Sequence, residues 1–153
     1  MSMQLPTDIE SVLPHRESLR LIDRVIEWQP ESIVVEVDVP THGLFSTPGG
    51  VPAWVGVEYM AQAIAAWAGC RARAEGREPS IGFLLGTRRY TAHQPAFTPG
   101  SCLRVEAQCE LMGENGLGMF ACRILAGDVE LAVANVSVFE PRDAMAYLES
   151  GEA

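Results

Sequence analysis

The sequence predicts an α+β domain in which an antiparallel sheet wraps around one long central helix. Three observations carry this prediction. First, Ile33, Val35, Val37 and Val39 alternate with Glu36 and Asp38, and Leu103, Val105, Ala107, Cys109 and Leu111 oppose Arg104, Glu106, Gln108 and Glu110. That period of two belongs to strands with one buried and one wet face. Second, Val51 to Cys70 is rich in alanine, valine and tryptophan, with apolar side chains on every side, as expected of a helix buried all round. Third, Asn115-Gly116 and Gly127-Asp128 break the C-terminal apolar segments where hairpins turn.

Taken in order, Asp8 to Leu13 reads as a short helix stopped by Pro14, because the residue before a proline is pushed out of the helical region. Leu19 to Trp28 and Ser32 to Val39 read as strands joined at Gln29-Pro30-Glu31. The central helix is expected over about residues 53–73, with Pro52 suited to its first turn. A membrane span is the competing reading of such an apolar run, but it would place Glu58 and Gln62 in lipid. Ser80 to Tyr90 follows as a strand and Pro95 to Gly100 as a loop. Ser101 to Leu111, Leu117 to Leu125 and Val129 to Phe139 complete an antiparallel meander, and the residues after Pro141 read as an acidic tail. The 153 residues, 48% hydrophobic and 20% charged, suit one domain with one core, and no repeat or linker divides them.

Composition removes several classes of function. A net charge of -9 disfavours nonspecific binding to nucleic acid, which needs a positive surface. All eleven basic residues are arginine, and Arg71, Arg73, Arg77, Arg88 and Arg89 fall in one short stretch able to meet a phosphate or an acidic partner. A solvated helix end is the plainer explanation of that group. Cys70, Cys102, Cys109 and Cys122 include no Cys-x-x-Cys pair and no nearby histidine at ligand spacing, so buried free thiols are expected and no metal site. No redox cofactor fingerprint, phosphate loop or serine nucleophile elbow is present. The acidic N-terminus shows neither a secretory signal nor a transit peptide, and a cytoplasmic location is expected.

Glu58 is the single charged residue between Val51 and Cys70, and burying a carboxylate is costly enough to need a reason. One reason is structural, an acid satisfied by a backbone N–H or an arginine. The other is chemical, a proton donor or base whose pKa an apolar site raises. Gln62, one turn later on the same face, can bind the same substrate or position Glu58. Histidine is the natural partner for a carboxylate in proton transfer near neutral pH. His42 precedes the loop that enters the helix, and can approach Glu58 within a subunit or across a dimer. His15 and His93 better suit structural hydrogen bonds. Trp54, Tyr59, Met60 and Trp67 read first as packing residues, with some of them, Trp54 foremost, expected to line an acyl channel.

Three segments carry a family resemblance. Leu13-Pro-His-Arg-Glu-Ser-Leu-Arg-Leu-Ile-Asp-Arg-Val resembles the opening of bacterial 3-hydroxyacyl-acyl-carrier-protein dehydratases. Pro52-Ala-Trp-Val-Gly-Val-Glu-Tyr-Met-Ala-Gln resembles their central-helix motif, and Pro99-Gly-Ser-Cys-Leu-Arg-Val-Glu their later Pro-Gly strand landmark. The Pro-x-Trp start and Trp-Ala-Gly end of the helix are most similar to the ApeP-type branch, found with aryl polyene biosynthesis. The resemblance implies a hotdog fold and a homodimer, or a heterodimer with a related subunit, with acyl tunnels at the interface.

By position, Glu58 matches the family's catalytic acid and Gln62 its helix glutamine. A gapless alignment puts Leu44 where these enzymes carry their catalytic histidine, so assigning His42 that role requires a two-residue insertion. Ala53 stands in place of the glycine whose N–H holds the thioester carbonyl, and is expected to donate from the helix N-terminus. The expected reaction is reversible dehydration of a 3-hydroxyacyl thioester on acyl carrier protein or coenzyme A, without a metal or redox cofactor. Thioester hydrolysis using Glu58 to activate water, and a non-catalytic acyl-binding subunit paired with an active dehydratase, are the alternatives.

Overall fold

In a computed structural model, which describes residues 5–6, 8–13, 19–77 and 83–139, the alternating segments pair into one antiparallel sheet. Its strands are β1 (Arg24–Gln29), β2 (Ser32–Asp38), β4 (Phe83–Ala92), β6 (Cys102–Met112), β7 (Leu117–Ala126) and β8 (Val129–Phe139), ordered β1-β2-β6-β7-β8-β4. A second ladder joins the two-residue strands β3 (Val51–Pro52) and β5 (Ala96–Phe97). The helix α1 (Gly56–Ala74) follows a 3-10 turn, Ala53–Val55. One helix wrapped by an antiparallel sheet is the α+β arrangement that the patterning predicts.

The inward faces are those the alternation selects. Ile33, Val35 and Val37 of β2 and Leu103, Val105 and Ala107 of β6 are buried, and Val35 pairs with Val105. They meet a helix whose Tyr59, Met60, Ala63, Ala66, Trp67 and Cys70 are all buried. Trp67 packs edge-on against Phe120 of β7 at 5.2 Å, a geometry aromatic rings favour. Two glycines permit close approach. A Cβ on Gly56 would lie 2.2 Å from the Tyr90 hydroxyl, and one on Gly69 would lie 1.9 Å from the Val12 carbonyl oxygen.

Several expectations change in detail. The short N-terminal helix is a single 3-10 turn, Ile9–Ser11, capped by the Asp8 carboxylate accepting from Glu10 N. Strand β1 begins at Arg24 rather than Leu19, because the side chain of Gln62 takes the backbone groups of Leu19, Leu21 and Ile22 that a ladder would use. Part of the loop Pro95 to Gly100 is strand β5. In β6 a register shift between Cys109 and Leu111 turns Leu111 outward to 54% exposure, so the predicted inward face ends at Cys109, which is half-buried against the core. Nor are all four thiols buried: Cys70 and Cys122 are, Cys109 is half-buried and Cys102 is exposed. Among the described residues no helix is long and apolar enough to cross a membrane. His15, the first residues of the Ser80 to Tyr90 segment and the tail after Pro141 lie outside the described residues.

Candidate active site

Glu58 sits in the first turn of α1, half-buried rather than sealed in the core. One turn on, Gln62 is fully buried. Its Nε2 donates to Glu58 Oε1 at 3.4 Å and to the Leu19 carbonyl at 2.7 Å, while its Oε1 accepts from Leu21 N at 2.8 Å and Ile22 N at 3.4 Å. Both amide hydrogens and both oxygen lone pairs are thereby occupied. These bonds fasten the N-terminal segment to the helix and bring Gln62 against Glu58.

Ala53 differs from expectation. Its N–H donates to the Pro95 carbonyl at 2.9 Å, and its own carbonyl accepts the Tyr90 hydroxyl. The β3–β5 ladder extends one residue into the helix start and takes the N–H that was expected to face a thioester. Trp54 projects from the same turn with 64% of its surface exposed and meets Phe45 edge-on at 5.8 Å. It is therefore a surface residue beside the His42 loop and not a core residue.

His42 is exposed and lies 3.4 Å from the Thr41 hydroxyl. It borders a cavity of about 210 Å³ with Leu44, Phe45, Tyr59, Asp23 and Arg20. Glu58 is not among the residues lining that cavity, although its neighbour Tyr59 is. Leu44, at the gapless histidine position, is 65% exposed.

Asp23, not expected at the site, enters this cavity beside Tyr59. Burial raises the Asp23 carboxyl above the ordinary carboxylate value, offset in part by the Asp38 N–H that its Oδ2 accepts at 2.7 Å. Burial likewise pushes the Tyr59 hydroxyl up to about 12. Asp38 moves the other way, held low by the Arg24 guanidinium at 2.6 Å. A signal for Asp23 exists in the sequence, a carboxylate closing the apolar run Leu21-Ile22. What brings it to Tyr59 is a tertiary contact.

The arginine group separates into two sets. Arg71 and Arg77 reach Glu75, and Arg73 reaches the Ser11 hydroxyl, whereas Arg88 and Arg89 stand on β4. His93, away from the cavity, pairs with Glu130 at 3.2 Å.

With this geometry in place, comparison with known proteins is decisive. Residues 7–149 match the family model of ApeP-like proteins, described as ApeP dehydratase. The chain belongs to the ApeP-like dehydratase family. A curated relative, 3-hydroxyacyl-[acyl-carrier-protein] dehydratase FabZ of Anaeromyxobacter sp. (strain K), is 30% identical over 106 residues, 65% of this chain and 67% of that protein. Its counterpart from Chlamydia trachomatis serovar L2 is 27% identical, covering 80% of this chain and 83% of that protein. Among solved structures, the dehydratase heterocomplex ApeI:P from Xenorhabdus doucetiae contains a chain that superimposes with a TM-score of 0.87 at 27% identity, covering 97% of this chain and 99% of that one. The fold is thus the hotdog fold, and this ApeP-like chain is a dehydratase-type lyase by family.

Proposed function

We infer that this ApeP-like dehydratase converts a 3-hydroxyacyl thioester, carried on the phosphopantetheine arm of acyl carrier protein, into the 2-enoyl thioester and water. The observation that carries the reading is Glu58, the one carboxylate of an otherwise apolar helix segment, half-buried and touched by a fully bonded Gln62. Such an acid has a defined orientation and access to a ligand. In the reaction, His42 takes the proton from the carbon beside the thioester carbonyl, leaving an enolate. As the enolate collapses to the carbon–carbon double bond, the bond from carbon 3 to its hydroxyl breaks, and Glu58 donates the proton that makes the leaving group water. Because one chain's cavity holds His42 without Glu58, the base comes from the loop of a second subunit, which makes a dimer with itself or a related hotdog subunit part of the site. With the Ala53 N–H bound to Pro95, the enolate oxygen falls to the N–H groups that follow it in the first turn. The family context suits aryl polyene synthesis in the cytoplasm.

The test incubates the protein with 3-hydroxyacyl and 2-enoyl thioesters and follows products by mass. Loss of water in one direction and its addition in the other is the expected result. Release of the carrier thiol would instead show hydrolysis. A second reading, an acyl-binding subunit that completes an active partner, is favoured by Leu44 at the histidine position and by a His42 cavity that Glu58 does not line. Under that reading the protein alone turns over nothing, and His42→Ala leaves the activity of the mixed complex intact. Light scattering at micromolar concentration checks the dimer, and a monomer alone would remove the shared site.

A further inference from the structure

We propose that the Tyr59 hydroxyl donates a hydrogen bond to the thioester carbonyl oxygen of the substrate and holds that oxygen as it becomes an enolate, in the cavity that His42 borders. The inference rests on the thioester reading above and names a catalytic residue which that reading lacks. Removing a proton next to a carbonyl puts negative charge on the carbonyl oxygen, and donors already aimed at that oxygen are a large part of the rate gain. The donor expected for it is spent, because the Ala53 N–H is bound to the Pro95 carbonyl at 2.9 Å. A side-chain donor beside the remaining first-turn N–H groups would make up the loss.

Tyr59 has that donor to offer. It is 1% exposed, yet its hydroxyl has no hydrogen-bond partner among the described residues. The one side-chain polar atom among them that is both sealed and without a partner is Trp67 Nε1. The Tyr59 oxygen is therefore not sealed, and it opens on the cavity of about 210 Å³ that Tyr59 lines with His42. That volume is below the roughly 300–1,000 Å³ of a pocket that encloses a whole ligand, so the cavity receives one part of a substrate. Packing does not account for the hydroxyl. The ring lies 5.6 Å from that of Phe97, a contact phenylalanine would make as well, whereas a buried hydroxyl left unpaired costs stability.

Position and charge agree with the role. A long side chain on a helix leans back over the preceding turn, which for Tyr59 is the helix start. The Phe97 ring beside it comes within 3.1 Å of the place a Cβ on Gly56 would take. Burial pushes the hydroxyl up to about 12, so it stays a neutral donor at physiological pH. Asp23 also lines the cavity, and its charge opposes an anion there; Arg20, 3.9 Å from one carboxylate oxygen, offsets it, and the other oxygen accepts the Asp38 N–H. In the step, His42 takes the proton from carbon 2 and the C–H electron pair moves into the carbonyl. The oxygen that gains charge accepts from Tyr59, which keeps its proton. Tyr59 and His42 then serve from one chain of the shared site, and Glu58 from the other.

The experiment compares wild type with Tyr59→Phe, which removes the hydroxyl and keeps the ring. Two rates are followed by mass. One is dehydration of a 3-hydroxyacyl thioester; the other is uptake of deuterium from heavy water at carbon 2 of the matching saturated thioester, which can form the enolate but has no hydroxyl to lose. In the variant both should fall by roughly 10²–10³, the usual loss on removing one oxyanion donor. KM should hold, since the bond strengthens only as charge develops. The melting temperature should hold or rise, because a buried unpaired hydroxyl is gone. Unchanged rates, a rise in KM with kcat intact, or a loss of rate that comes with a lowered melting temperature would overturn the assignment. Where wild type catalyses only one of the two reactions, that rate decides the donor, and exchange without elimination sinks the dehydratase reading by itself. Wild type that does neither removes both.

Discussion

The two ends of the central helix are closed to different degrees. From Ala63 to Cys70 the helix is sealed, with Ala63, Ala66, Trp67 and Cys70 all buried and Phe120 packed across Trp67. At its start, Trp54 is 64% exposed, Glu58 is half-buried, and the buried polar side chain Gln62 is spent on the backbone of another segment. The sealed end gains from apolar burial, which is insensitive to orientation. The open end depends on hydrogen-bond geometry, which fixes one carboxylate and leaves it reachable. Under the proposed function, stability and chemistry are then separable along a single helix of 19 residues.

That separation can be broken at either end. The largest effect is expected from Glu58→Gln, which nearly keeps shape and hydrogen bonding but cannot exchange a proton. Turnover should fall by roughly 10²–10⁴, while the melting temperature holds because the amide nearly keeps the shape and hydrogen bonding of the half-buried side chain. Thermal melting run beside product formation checks both. Unfolding of this variant would mean that the open end, too, serves stability.

At the sealed end, Phe120→Ala should cost about 3–5 kcal/mol in urea unfolding, with kcat of the folded fraction unchanged. A matching fall in kcat would show that the two ends are coupled. The sheet beneath the helix also sets an alkaline limit. Burial pushes the Cys122 thiol from 9.0 to about 12, so above pH 9 the unfolded chain releases this proton first. Stability from this group is complete below pH 9 and is lost as pH rises through about 12, by about 1.4 kcal/mol per pH unit. Cys122→Ala should flatten the pH dependence of urea midpoints in that window. An unchanged slope would place the alkaline sensitivity elsewhere.

The smallest change is expected between the ends. Gln62→Leu strands the Leu21 N–H and the Leu19 carbonyl, for about 1–3 kcal/mol. It should also lower kcat less than Glu58→Gln does, with KM nearly constant, since Gln62 holds the acid and not the substrate. A rise in KM alone would return Gln62 to substrate binding.

Much of this was legible before any coordinates. Period-two alternation marks β2, β6, β7 and β8 because a strand's faces alternate regardless of what it packs against. The isolated charge of Glu58 stands out for the same kind of reason, since burial of a carboxylate is costly anywhere. The errors share a different cause. Leu111 faces outward because of a bulge, β1 starts late because a distant glutamine claims its backbone, and the Ala53 N–H goes to Pro95. The last two depend on partners far away in sequence, and the bulge depends on how β6 pairs with β7, which alternation alone does not record.

By itself, then, the sequence determined the α+β class, the central helix and the acid on it, since periodicity and the cost of buried charge are local properties of a chain. The tertiary structure decided the sheet order, which brings β4 beside β8, and the clamp of Gln62 on Leu19 to Ile22. It also decided which of the candidate groups share a cavity. Hydrogen bonds and ion pairs are satisfied by whichever groups folding brings within reach, and spacing along the chain does not record that choice.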